Sequence, residues 1–202
     1  MKTLVIVDVQ NDFCPGGALA VREGDTIVPI INALQSRFDL VVATQDWHPA
    51  DHRSFASQWN LSPGELVELN GVTQVLWPDH CVQNTSGAEL HPALETSRIA
   101  KVFHKGTDRE VDSYSGFFDN GRRHHTGLER WLRTQGASEL WVCGLATDYC
   151  VQATALDAVN LGFHTTVIAD ACRAVELQAG DADRAFAKLQ DNGVRVVSSD
   201  EL

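Results

Sequence analysis

Cys150 stands where the apolar run Leu140-Trp141-Val142-Cys143 passes through Gly144-Leu145-Ala146-Thr147 into a pattern in which Val151, Ala155, Leu156 and Val159 recur at helical spacing. A thiol in a first helical turn faces unpaired backbone N–H groups and the positive end of the helix dipole. Both favour the thiolate, so its pKa is expected below the free value of about 8.5. An activated thiolate attacks electrophilic carbon. A lone cysteine is more often a small buried hydrophobe, so the catalytic reading depends on partners. Lys105 and Asp8 supply them: an ammonium stabilises the thiolate, and a carboxylate held close to both carries a proton to a departing amine.

Asp46-Trp47-His48 offers a second kind of chemistry. Residues two apart share one side of an extended segment, so the carboxylate and the imidazole can grip one divalent ion: zinc, iron or manganese. Such a pair needs at least one further ligand. His80, in Trp77-Pro78-Asp79-His80-Cys81, and His52 are the nearest additions, with His91 and His104 less favoured.

These side chains must be carried by elements that bring them together. Thr3 to Val9 is a β-branched run that reads as a strand buried on both faces, ending at Asp8 and followed by the turn-forming stretch Gln10 to Gly17. A helix is expected from Thr26, through Ile27, Ile30, Ile31 and Leu34, and a second strand over Asp39 to Thr44. Ile99 to His104 reads as a third strand, with Lys105 just beyond it. Then follow a helix over Thr126 to Gln135, a strand over Glu139 to Cys143 left by way of Gly144, and a helix over Asp148 to Asn160. A strand over Phe163 to Ala169, a helix over Ala182 to Gln190 and a closing strand over Val194 to Val197 complete the chain. Six strands alternating with helices imply a doubly wound, mostly parallel α/β sheet with helices on both faces, which binds ligand beyond its strand carboxyl ends. Asp8, Lys105 and Cys150 all fall at that edge. Residues 45–100 carry tryptophans, prolines and histidines without sustained periodicity, and read as a long metal-binding excursion within a single domain spanning 1–202.

Composition narrows the partners. With 16 Lys plus Arg against 27 Asp plus Glu, the formal charge of −11 disfavours a nucleic acid or an anionic membrane surface. The five cysteines are an odd number and form no CxxC pair, so neither a disulfide framework nor a thiolate zinc site is expected. No targeting pattern precedes the first strand, and a cytoplasmic location is expected.

Together the motifs Val7-Asp8-Val9-Gln10-Asn11-Asp12-Phe13, Asp46-Trp47-His48-Pro49, Trp77-Pro78-Asp79-His80-Cys81, Lys105-Gly106-Thr107-Asp108 with Asp112-Ser113-Tyr114-Ser115, and Gly144 to Val151 resemble the nicotinamidase branch of the isochorismatase-like cysteine hydrolases over essentially the whole chain. The resemblance implies hydrolysis of nicotinamide to nicotinate and ammonia, a step in NAD salvage, with pyrazinamide as a further substrate. It implies an Asp8, Lys105 and Cys150 triad, and one divalent metal, foremost zinc, on Asp46, His48 and His80. It also implies a cis peptide at Leu145-Ala146, an oxyanion hole from the N–H groups of Ala146 and Cys150, and a ring pocket of Phe13, Leu19, Trp77 and Tyr149. His52 and Ser54 compete for a fourth ligand place. Two rivals stay open: a related amidase that keeps the triad without needing the histidines, and a thiol-sensing module in which Cys150 is an oxidisable switch.

Overall fold

Leu4, Val5, Ile6 and Val7 expose no surface at all, because the strand they belong to, β1 (Lys2–Val7), lies between two parallel neighbours. The computed structural model describes residues 1–202. After β1 come α1 (Val28–Leu34), β2 (Leu40–Asp46), the short strands β3 (Leu66–Leu69) and β4 (Val72–Val75), and β5 (Ile99–Lys105). The second half contains α2 (Leu128–Thr134), β6 (Glu139–Leu145), α3 (Gln152–Asn160), β7 (His164–Arg173), α4 (Asp181–Asp191) and β8 (Arg195–Val197). Six strands form one sheet in the order β5-β2-β1-β6-β7-β8, every neighbouring pair parallel. The expected doubly wound α/β fold is the one observed. Right-handed crossovers put α1 on one face and α2, α3 and α4 on the other, since the chain moves along the sheet in opposite directions in the two cases. Forty-three buried residues fuse into one core cluster.

Three expectations need correction. The excursion contains an antiparallel hairpin, β3 with β4, around Asn70-Gly71. Its turn dipeptide was a readable hairpin signal, but strands of four residues are too short to show a period. Gly144 lies within β6, opposite Val7, and does not open a turn after it; its φ is +122°, and a Cβ there would overlap the Val7 carbonyl oxygen. Glycine is required for close backbone approach. Finally, the helix expected from Asp148 begins as a π-turn, Thr147–Val151, and becomes α-helical only at Gln152. The remaining differences are shifts of element ends by a few residues.

Chain direction reverses between β1, which leads outward to β2 and β5, and β6, which leads to β7 and β8. A crevice forms at such a switch point, beyond the strand carboxyl ends. Asp46 and Lys105 are the last residues of β2 and β5, and stand directly opposite each other. Asp8 follows β1 with φ +49°, which swings the chain off the sheet.

Candidate active site

The three residues expected to share a site do so. Lys105 is buried, and its ammonium donates to three acceptors: Asp46 Oδ1 at 2.6 Å, the Ser113 carbonyl at 2.8 Å and Cys150 Sγ at 3.3 Å. An ammonium has three hydrogens, so its donors are spent. Asp8 Oδ2 lies 2.8 Å from the same nitrogen and forms a buried ion pair with it. The other oxygen, Asp8 Oδ1, accepts the Thr44 hydroxyl at 2.6 Å. Asp8, Asp46 and Cys150 offer ligand-type atoms all within 4.8 Å of one another, so a carboxylate oxygen with a free lone pair sits beside the thiol.

Burial dominates the electrostatics here. It raises the Asp8 carboxyl to about 6, against the pull of Lys105 and with added repulsion from Asp46. For Asp46 burial also acts upward, but Lys105 and the two histidines overcome it and hold the carboxyl well below its usual range. The Cys150 thiol is pushed well above the ordinary value by burial, with Lys105 opposing and the Asp8 and Asp46 carboxylates reinforcing. The expected lowering by the helix terminus is therefore overturned. Desolvation of the thiolate and two nearby carboxylates outweigh one ammonium, and Cys150 rests as a neutral thiol beside a base.

Asp46, His48 and His80 are brought together in the same place, all buried and with donor atoms within 4.8 Å. The His48 Nδ1–H donates to the Gly106 carbonyl at 2.9 Å and the His80 Nδ1–H to the Pro78 carbonyl at 2.8 Å. Each ring thus turns its Nε2 toward Asp46 Oδ2, at 3.7 and 4.0 Å, beyond hydrogen-bond reach. His48 Nε2 is fully buried with no partner. Burial and the neighbouring His48 bring His80 down to about 4, keeping its ring neutral. Burial opposes the charged form of His48, but the Asp46 carboxylate overcomes it and raises the His48 pKa. A fully buried imidazole nitrogen without a partner, a second imidazole nitrogen and a carboxylate oxygen facing one point are what a divalent cation satisfies, so these residues fit one. His52 stands beside this group, its ring 4.3 Å from His48 and its Nδ1 paired with Ser54 Oγ at 2.7 Å. His104 is exposed and stacks on Trp47, and His91 accepts the Ala93 N–H; neither faces the group.

A pocket opens onto both sets, lined by Phe13, Leu19, Trp77 and Tyr149 together with Asp46, His80, Ala146 and Cys150. Leu145-Ala146 is a cis peptide. Sequence reasoning missed Asp112, Tyr114 and Val175, which also line the cavity. The Tyr114 hydroxyl accepts from Trp77 Nε1 at 3.2 Å and Gln74 Nε2 at 3.1 Å, and its ring meets that of Tyr149 edge-on. The result is a slot with aromatic walls for a flat ring, with the thiol at one end. Thr44 was also missed, although strand alternation continued back from His48 and Asp46 points to it. Val175 arrives from the loop after β7, and no local pattern announces it.

Comparison with known proteins agrees with this geometry. The family model described as the isochorismatase domain matches residues 2–201. A nicotinamidase of Escherichia coli (strain K12) is 55% identical over 196 residues, covering 95% of this chain and 92% of its own length. Among solved structures, a nicotinamidase/pyrazinamidase of Acinetobacter baumanii superposes with a TM-score of 0.96 at 46% identity, covering 99% of this chain and 97% of that one. A pyrazinamidase of Pyrococcus horikoshii in complex with zinc superposes with a TM-score of 0.79 at 37% identity, covering 98% of each chain.

Proposed function

This chain belongs to the isochorismatase family, and on that premise we propose that it is a cysteine amidohydrolase converting nicotinamide to nicotinate and ammonia, with pyrazinamide as a second substrate. One observation carries the assignment: the Cys150 thiol, which lines the aromatic slot, meets the Lys105 ammonium, and that ammonium is ion-paired with Asp8 Oδ2.

The ring lies between Phe13, Leu19, Trp77 and Tyr149, with its carboxamide carbon over Cys150 Sγ. As the S–C bond forms, the thiol proton passes to Asp8 Oδ2, and the positive charge of Lys105 steadies the sulfur during transfer. A base titrating near 6 is ionised at neutral pH, yet gives its proton back readily. The carbonyl oxygen takes up the negative charge and is held by the N–H groups of Ala146 and Cys150. Collapse breaks the C–N bond while Asp8 protonates the leaving nitrogen, releasing ammonia. Water then attacks the thioester with its proton going to Asp8, the C–S bond breaks, Cys150 recovers a proton and nicotinate departs.

Asp46, His48 and His80 would hold one divalent cation, zinc by the donor set of two imidazoles and a carboxylate. Bound there, a cation would supply a Lewis-acidic position for the lone pair of the ring nitrogen and would orient the amide. The chain's own part is to aim both Nε2 atoms at Asp46 Oδ2.

Ammonia release tests the assignment directly. Nicotinamide should be hydrolysed at a specificity constant orders of magnitude above that of benzamide, which has the same shape and amide but no ring nitrogen. Chelator should collapse that ratio, and Cys150→Ala should abolish release from both. No ammonia from nicotinamide by the zinc-loaded protein would sink the proposal.

A further inference from the structure

We propose that Gln10 is a positioning residue whose side-chain carboxamide fixes the backbone of Asp46, and through it both the cation site and the Lys105 ammonium. The inference rests on the reading of Asp46, His48 and His80 as a cation site.

Backbone pairing of β1 with β2 runs from Thr3 opposite Leu40 to Ile6 opposite Ala43. One further bond follows, from the Asp8 N–H to the Thr44 carbonyl at 3.3 Å. There the chain leaves the sheet, since Asp8 has φ +49°, and Asp46 loses its main-chain neighbour on that side. Gln10 replaces it. Its Oε1 accepts the Asp46 N–H at 2.8 Å, and its Nε2 donates to the Asp46 carbonyl at 2.8 Å, a two-bond ring like that between paired strands. The second Nε2 hydrogen goes to the Ala88 carbonyl at 2.8 Å. Gln10 is completely buried, so no water can take over these bonds.

The residue thus clamped divides its carboxylate between two jobs. Oδ1 receives the Lys105 ammonium at 2.6 Å, while Oδ2 faces the Nε2 atoms of His48 and His80. On the far side, Asp46 is held by its register with Lys105 in β5. A rotation of the Asp46 backbone would disturb both jobs at once, and the Gln10 amide blocks it.

A purely structural account makes Gln10 a tie between the end of β1 and the segment around Ala88. Gln45 separates the two accounts. It too is buried and donates to the Ala88 carbonyl, at 2.9 Å, but makes no bond to Asp46. The experiment measures zinc affinity of the full chain by competition with a chromophoric chelator, the absorption spectrum of the cobalt-loaded protein, and kcat for nicotinamide at saturating zinc. Gln10→Met removes all three bonds at similar length. Gln10→Glu keeps an acceptor for the Asp46 N–H but sets an oxygen against two carbonyls.

Both variants should weaken zinc by about 10- to 100-fold, as loss of a ligand-orienting partner does, with Gln45→Met within about threefold of wild type. They should also shift the cobalt spectrum and lower kcat. Zinc affinity of Gln10→Met within about threefold of wild type, or an equal loss in Gln45→Met, overturns the proposal. If the wild type itself bound no zinc, the cation-site reading would fall, and this inference with it. Should neither Gln10 variant fold, the wild-type Gln10 amide protons decide: slow exchange with water supports the clamp, and exchange at the rate of a free amide refutes it.

Discussion

Thr44→Val tests the proton-transfer role of Asp8 without touching a group that meets substrate. The hydroxyl donates to Asp8 Oδ1 at 2.6 Å, and neither residue exposes any surface, so valine leaves that oxygen dry and unpaired. A hydrogen bond to a charged group is worth about 1.5–3 kcal/mol, and about 1.4 kcal/mol corresponds to one pKa unit. The bond favours the ionised form, so its loss moves the Asp8 pKa upward by roughly one to two units. Asp8 must be ionised to accept the thiol proton, which makes activity full above its pKa and lost as pH falls through it. With Asp8 raised to about 6, the wild-type acid limb of kcat/KM falls near that pH, and the variant's limb lies near roughly 7 to 8. At pH 7 the ionised fraction then drops about two- to tenfold, and kcat/KM drops with it; by pH 9 most of the difference is gone. Ammonia release from nicotinamide at low substrate, with zinc saturating throughout, measures the profile. An acid limb that stays in place, or a deficit at pH 7 that persists undiminished at pH 9, would refute Asp8 as the titrating base.

Because burial pushes the Cys150 thiol up, its alkylation by iodoacetamide should climb steadily from pH 7 to beyond 9 in the resting protein. Peptide mapping should place the label on Cys150, the one cysteine lining the cavity; a rate that levels off below pH 8 would show a stabilised thiolate instead. Asp8→Ala and Lys105→Ala should each cost several orders of magnitude in kcat/KM, and the double variant little more than the worse single, because both serve one proton transfer. Losses that multiply would separate them into independent roles. Gly106→Ala forces a Cβ into the His48 imidazole at a φ of +61°, so zinc affinity measured by chelator competition should fall by about tenfold or more; unchanged affinity would remove His48 from the ligand set. Tyr114→Phe withdraws the acceptor of Trp77 Nε1 and Gln74 Nε2, and should raise KM for nicotinamide several-fold with kcat nearly unchanged. An effect confined to kcat would place Tyr114 in the chemistry rather than in the ring slot.

Much of the site was legible along the chain because each strand of a parallel sheet delivers its terminal residue to one edge. Asp8 and Lys105 could be placed there from apolar runs alone, and Cys150 from the helical pattern that follows the fourth of those strands. The number of sheet strands and the doubly wound class follow from the same local alternation of patterns. What the tertiary structure decided depends on groups far apart in sequence. Asp46 reads locally as half of an Asp-x-His pair, and only its register against Lys105 shows one carboxylate serving both the ammonium and the histidines. Tyr114 and Val175 reach the ring slot from loops whose sequence gives no distance to Trp77 or Tyr149. The sign of the Cys150 shift is the clearest case. A helix terminus is a local feature and points to a stabilised thiolate, whereas dehydration and the fields of Asp8, Asp46 and Lys105 exist only after the chain has folded. In that enclosed place the cost of stripping water from a thiolate exceeds the help of one ammonium, so the thiol stays protonated until a substrate arrives.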